Sequence, residues 1–267
     1  MDILKRGLAP IVPEAWEEID AQAKSVLKAT LTGRKIVDVE GPKGWGYDAI
    51  SEGTLSLLDE SPVEGVNFGI REVIPLLEIR VPFTLPMWDL DDLSRGSKIV
   101  DFTPVQEAAR KAALFEDTVV FEGIEDAGIL GLQLEADNEA IEMKLEDESI
   151  LTALTKAIRV LQKKNVEGPY ALVCSEALWT KIQTTACGYP LLKKVEALVG
   201  NKIILSSQYD TSMLVSLRGG DSELVIGQDF SIGYQSHTNT EVNFYITETL
   251  AFRVNGPEAI VPFVIAE

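Results

Sequence analysis

Apolar residues recur at three- and four-residue spacing along Trp16, Ile19, Ala23, Val26, Leu27 and Leu31, which predicts an amphipathic helix opening at Pro13 or Glu14. Glu14, Glu17, Glu18 and Asp20 crowd its first turns, where the helix dipole favours acids, and Gly33 is placed to close it as a C′ residue. The ten residues at the start carry Lys5, Arg6 and Pro10 without periodicity and read as an arm. Past a glycine-rich loop at 41–47, whose spacing fits neither a phosphate-binding nor a dinucleotide motif, the period shortens. Strand-like runs follow at 54–58, 66–70 and 74–84, and Pro75 and Pro82 confine the last to an edge or an inter-subunit position. This region reads as an extended hairpin with little core of its own.

Helical spacing returns at Thr103-Pro104, with Thr as N-cap and Pro at the first helical position, and continues through Val105, Ala108, Ala112, Phe115 and Val119 toward 122–126. Residues 135–148 hold seven acids against Lys144 and predict a solvated loop or an exposed strand pair. Ser149 is set to cap a helix carrying Leu151, Leu154, Ile158 and Leu161. A buried strand at 170–174, a short helix at 176–183, a loop at 184–188, a helix at 190–199 ended by Gly200 and a strand at 203–206 complete a compact subdomain. Strands then dominate at 213–217, 223–226, 231–234, 242–254 and 260–265, with Gly219-Gly220-Asp221 as a hairpin turn.

Composition narrows the function. The chain has 267 residues, 46% apolar and 25% charged, which excludes wholesale disorder and allows one large domain or two modest ones. Twenty-four basic against 42 acidic residues give −18, a surface that repels phosphate. No basic cluster exceeds two residues, as at Lys163-Lys164 and Lys193-Lys194, so neither nucleic acid nor an anionic membrane is an expected partner. A mean hydropathy of +0.09 is high for so charged a chain and points to burial in a core or between subunits. Cys174 and Cys187 make no disulfide framework, and Cys174, in an apolar run, reads as a buried small hydrophobe. The start lacks the apolar stretch of a signal peptide and no run reaches the length of a membrane span, which fits a cytoplasmic protein.

Catalytic chemistry is thin. His237, the single histidine, lies among Gln235, Ser236, Thr238 and Asn239 and reads as a solvated turn residue. No Gly-x-Ser-x-Gly elbow exists, and Asp89, Asp91 and Asp92 read as turn caps rather than a cation site. Trp45 and Trp88, in loops, are interface anchors or stacking platforms for a planar ligand. The expectation is a protein that is not an enzyme.

Several longer motifs carry a resemblance. They are Leu4-Lys5-Arg6, Gly33-Arg34-Lys35-Ile36-Val37-Asp38-Val39-Glu40-Gly41-Pro42, Glu167-Gly168-Pro169-Tyr170 and Gly188-Tyr189-Pro190-Leu191. Two more are Gly227-Gln228-Asp229-Phe230-Ser231-Ile232-Gly233-Tyr234 and Ile246-Thr247-Glu248-Thr249. From Met1 to about Phe263 the sequence resembles encapsulin shell proteins, once called linocin-type bacteriocins. The resemblance implies an α+β fold like that of tailed-bacteriophage major capsid proteins, with a P-domain, an A-domain and an extended E-loop. Residues 1–48 would supply the arm and helix of the P-domain, 49–87 the E-loop, 88–129 the P-domain spine, 130–225 the A-domain and 226–267 the remaining P-domain strands.

It further implies an icosahedral homo-oligomeric shell in the cytoplasm. The shell encloses a cargo enzyme, a ferritin-like iron storage protein or a dye-decolourising peroxidase, captured through its C-terminal targeting peptide. The family's peptide-binding positions correspond here to Leu27, Leu31, Arg34 and Asp38 on one side and Asp229, Phe230, Ile232 and Tyr234 on the other. Its five-fold pore corresponds to Thr184, Thr185, Ala186, Cys187, Gly188 and Tyr189. No cofactor is required, although Trp88 matches a position that stacks a flavin in some members. The rival readings are a prophage capsid subunit and a protease or bacteriocin.

Overall fold

The computed structural model describes residues 3–185, 188–200, 202–206 and 211–266. A 3-10 turn (Arg6–Leu8) leads to α1 (Pro13–Thr30), a second 3-10 turn (Gly33–Lys35) and β1 (Asp38–Glu40). Then come β2 (Ala49–Leu58), β3 (Phe68–Pro75), β4 (Leu77–Pro86), α2 (Met87–Ser94) and α3 (Thr103–Phe121). The short β5 (Gly123–Ile124) and β6 (Ile129–Leu130) precede α4 (Leu132–Glu135), β7 (Ile141–Lys144), α5 (Asp147–Lys163) and β8 (Tyr170–Cys174). After α6 (Glu176–Thr184), α7 (Leu191–Val199) and β9 (Ile203–Leu205), the chain ends in strands. These are β10 (Ser212–Ser216), β11 (Ser222–Ile226), β12 (Ser231–His237), β13 (Glu241–Val254) and β14 (Ile260–Ala266).

Two five-stranded sheets organise the chain. In the first, β13 is the trunk. β4 runs antiparallel along one side of it, from Leu77 opposite Leu250 to Pro86 opposite Glu241. The other side is shared by β11 and β12, and β1 adds parallel to β11. Pro82 is tolerated because β4 is an edge strand whose outer side has no ladder to interrupt. Helices α1 and α3 cover one face. Trp16 meets Phe244 edge-on at 5.2 Å between ring centroids, and Phe83 stacks on the same ring at 5.3 Å. The second sheet runs β7-β14-β10-β8-β9, and α5, α6 and α7 bury Leu154, Leu161, Leu178, Ile182 and Val195 against it.

Several sequence expectations shift by a physical detail. Thr103 is not the cap of α3 but its first residue, because Asp101 Oδ1 accepts the Thr103 N–H at 2.9 Å. That helix stops at Phe121 rather than continuing to 126, where the chain turns into the small β5–β6 ladder. α5 starts at Asp147, before Ser149, whose hydroxyl instead accepts the Lys144 N–H at 2.9 Å and ties the helix to β7. Within the acidic 135–148 stretch, β7 pairs in parallel with β14. Gly33 is no C′ residue. α1 ends at Thr30, and a Cβ at Gly33 would sit 3.1 Å from Val120, so the glycine serves the close approach to α3.

Gly219 and Gly220 do not close a hairpin. Both hold left-handed φ values, 86° and 81°, and carry the chain from β10 in one sheet to β11 in the other. β14 pairs with β10 and β7 in the second sheet.

The 74–84 run divides between two structures. β3 takes its beginning, and β4 takes the rest into the first sheet. β2 and β3 therefore form a hairpin that pairs only with itself. Ile50 and Ile74 are buried at its base, whereas Leu57 is 71% and Ile70 60% exposed farther out.

Candidate functional site

A groove of about 440 Å³ opens between α1 and β12. Its apolar lining comes from Ala23, Leu27 and Leu31 on the helix and from Phe230, Ile232 and Ile246 on the sheet side. Leu27 and Leu31 are four residues apart and share a helix face, while Ala23, another turn back, leaves room between helix and strand. Leu31 and Ile232 are buried and Leu27 is half-buried, so the groove is a dent in the core surface rather than a hole through it. Lys24 and Lys28 stand exposed on its helical rim.

Arg34 anchors one end. Its Nε donates to both carboxylate oxygens of Glu116 at 2.9 Å, and its Nη2 reaches Glu116 at 2.6 Å, Glu248 at 2.7 Å and Asp229 at 2.9 Å. Glu116 from α3 and Glu248 from β13 are fully buried, whereas Asp229 remains partly exposed in the groove wall. Burial alone would depress the Arg34 pKa, but these acids more than compensate and raise it. Glu116 is pushed up by burial, with Arg34 opposing. Glu248 is pushed well up, first by burial and then by the charge of Glu116, with Arg34 opposing. The guanidinium also lies 5.1 Å from the Phe230 ring centroid, so one cation fixes two walls of the groove.

The helix-to-strand junction behind Arg34 is held by the neighbouring acid. Asp117 accepts the Gly33 N–H at 2.8 Å and the Thr32 N–H at 3.1 Å, and burial lifts its carboxyl to about 6 despite those donors.

The arm closes the opposite end. Tyr234 N–H donates to the Leu4 carbonyl at 2.8 Å and Tyr245 Oη to the Ile3 carbonyl at 2.9 Å. Tyr245 reaches it by lying over Gly233, where a Cβ would come within 2.3 Å of the ring. Arg6 then pairs with Asp20 at 2.7 Å and sits 4.0 Å from the Trp16 ring centroid, clasping the arm to α1.

The structure thus brings Leu27, Leu31, Arg34, Asp229, Phe230 and Ile232 to one groove. It places Asp38 and Tyr234 elsewhere. Asp38 lies on β1, accepts the Gly220 N–H at 2.5 Å and lines a separate pocket with Asp221 and Lys202. Tyr234 is buried, and its hydroxyl meets His237 Nδ1 at 2.5 Å. His237 ends β12 rather than sitting in a turn. Sequence reading missed Glu116 and Glu248. The signal for Glu116 was its place in the stripe of Val105, Ala108, Ala109, Ala112 and Ala113, where an acid can survive only if paired.

Trp88 is 71% exposed on α2, not in a loop, and lines none of the cavities described here. Thr184 ends α6, Thr185 follows it, and Gly188 and Tyr189 precede α7 with both exposed; Ala186 and Cys187 lie outside the described residues. Cys174 is buried, which pushes its thiol up and leaves it unreactive. Among the described residues no cluster of histidine, cysteine and acidic side chains could hold a metal ion, and no helix is long and apolar enough to cross a membrane.

Comparison with known proteins decides the family. Residues 1–251 match the family described as encapsulating protein for peroxidase. A type 1 encapsulin shell protein of Rhodospirillum rubrum is 40% identical, over 98% of this chain and 96% of that one. The chain belongs to the encapsulin shell-protein family. Another encapsulin shell protein, from Mycobacterium tuberculosis, is 38% identical over 98% of both chains. Solved structures extend the likeness to the fold alone. A virus-like particle from Pyrococcus furiosus superposes with a TM-score of 0.66 at 16% identity, covering 93% of this encapsulin and 98% of that chain. A Mycobacterium phage Bobi protein gives 0.59 at 13%, covering 89% and 91%. The expected α+β capsid-like fold is the one observed.

Proposed function

We propose that this encapsulin subunit builds a closed icosahedral shell in the cytoplasm. The α1–β12 groove receives the C-terminal targeting peptide of an enclosed enzyme, a ferritin-like iron protein or a dye-decolourising peroxidase. The observation that carries the reading is the groove itself. It is lined largely by apolar side chains, open to solvent, and stiffened by an arginine bound to three acids. Inside the cavity the charged pair Arg34 and Asp229 is bound to itself, and Lys24 and Lys28 stand at the exposed rim, so the inner wall is shaped for an apolar segment. Leu27, Leu31, Phe230 and Ile232 form the floor and walls, and Arg34 and Asp229 hold the shape.

The self-paired β2–β3 hairpin supports assembly. Its outer residues are apolar on both faces and gain cover only from other subunits, as an E-loop would. Thr184, Thr185, Gly188 and Tyr189, with Ala186 and Cys187 between them, are proposed to border a pore for small ions. Flavin binding is not built into one chain. A single exposed indole outside every described cavity offers one stacking face and no pocket. The −18 charge argues against nucleic acid and anionic membrane as partners, and with it against a DNA-filled prophage capsid.

The test is expression with the enzyme encoded beside this gene, with and without that enzyme's C-terminal segment, followed by electron microscopy. Closed particles in both cases, filled only when the segment is present, are expected. Filling that ignores the segment refutes the groove reading.

A further inference from the structure

An antiparallel ladder alternates between residue pairs that exchange hydrogen bonds and pairs whose N–H and C=O face outward. The Tyr234 N–H leaves the sheet to reach Leu4 of the arm, so Tyr234 opposite Phe244 is an outward-facing pair. Two residues back, Ile232 opposite Ile246 must be outward-facing as well. Its N–H and C=O therefore point away from β13, on the side where Ile232 and Ser231 line the groove.

Among the described residues, the arm does not use that position. Lys5 adopts a left-handed conformation with φ of 52°, which turns the chain out of line with β12 and into the 3-10 turn Arg6–Leu8. An extended segment of this very chain thus pairs with the edge at Tyr234 and then steps aside. What it leaves is a strand edge in line with an existing main-chain contact, running beside an apolar floor. Edges of this kind are normally blunted by charge, proline or a bulge. β12 has its irregularity beyond Tyr234, between Tyr234 and Ser236, away from the groove.

We infer that the groove's occupant is an extended peptide that adds to β12 as a further strand. It pairs its main chain with Ile232 and sends alternate apolar side chains toward Leu27, Leu31 and Ile246. This rests on reading the groove as a peptide site and adds how the peptide is held. Recognition is then divided. The backbone of β12 supplies register without regard to sequence, and the α1 face selects apolar residues at two-residue spacing.

The test uses the purified full-length protein and a fluorescein-labelled heptapeptide, Ser-Leu-Ser-Leu-Ser-Leu-Ser, with a set of derivatives each N-methylated at one residue. Fluorescence anisotropy reads the affinity. Each N-methyl group removes one donor, so methylation at alternate positions is expected to weaken binding by about tenfold, with intervening positions within about twofold. Leu27→Asp is expected to weaken binding of the parent peptide by about tenfold. Loss in Leu27→Asp without the alternation overturns strand addition while leaving the groove as a peptide site. Binding indifferent to Leu27→Asp overturns the peptide site itself. No binding of the parent peptide also overturns strand addition, because alternate leucines on a free backbone are all it requires.

Discussion

The β2–β3 hairpin and the α1–β12 groove both expose apolar surface, yet they are built in opposite ways. The hairpin has only its base residues, Ile50 and Ile74, in the core, and the apolar residues farther out are exposed. The groove has buried residues along its whole length and is underpinned by Arg34, Glu116 and Glu248. On the proposed reading, a surface covered by further copies of the same chain can remain apolar on both faces without support beneath it, whereas a surface that waits open for a different molecule has to keep its shape unaided.

Breaking the hairpin should have the largest effect. Leu57→Asp with Ile70→Asp charges both faces, and particles should vanish from micrographs while circular dichroism still shows a folded subunit. Normal particles would remove the contrast. In that non-assembling background, Arg34→Met strands Glu116 in the core, and urea unfolding should show a loss of about 3–5 kcal/mol.

Asp117 gives a pH signature. Its carboxyl sits near 6 when folded, above the ordinary aspartate value, so the folded state binds the proton more tightly than the unfolded one. Its contribution is complete below about pH 4 and is lost as pH rises through about 6, by up to about 3 kcal/mol. Asp117→Asn should flatten that part of the stability curve, and an unchanged curve would mean the group titrates normally.

A smaller effect is expected at the groove. Leu27→Asp, at a half-buried position, should reduce cargo co-purification by about tenfold, about 1.4 kcal/mol, with shells still intact. Failure to assemble would show that Leu27 belongs with the hairpin class of surface. Least of all, Trp88→Ala should shift stability by no more than about 0.5 kcal/mol and leave particle yield unchanged. A yield collapse would place Trp88 in the repeating contact.

Local chemistry was readable in the sequence where it was self-contained. The spacing of Trp16, Ile19 and Ala23 located α1 and its buried face, and the Leu27–Leu31 pair followed from the same period. Pro82 on an edge strand was legible for the same reason, since the missing donor is a property of the residue itself. Long-range contacts were not. Arg34 finds Glu116 and Glu248 through a helix and a strand far away in the chain, and nothing near any of the three residues announces the others. The family resemblance groups Asp38 with Arg34, but a 3-10 turn and the start of β1 separate them and point Asp38 to the Gly219-Gly220 crossing. The Thr103 and Ser149 caps failed because other partners, an acceptor two residues before Thr103 and a donor five residues before Ser149, engage them instead.

The clasp on the arm has a consequence for how this protein can drift. Tyr245 and Tyr234 grip the carbonyls of Ile3 and Leu4, atoms that every amino acid possesses. The burden of identity therefore falls on the gripping side, on Tyr245 and on the glycine at 233 that gives its ring a place to lie. A saturation library should show the reverse of the common rule. The residue whose carbonyl is held, Ile3, should accept almost any replacement, while Gly233, which has no side chain at all, should accept almost none.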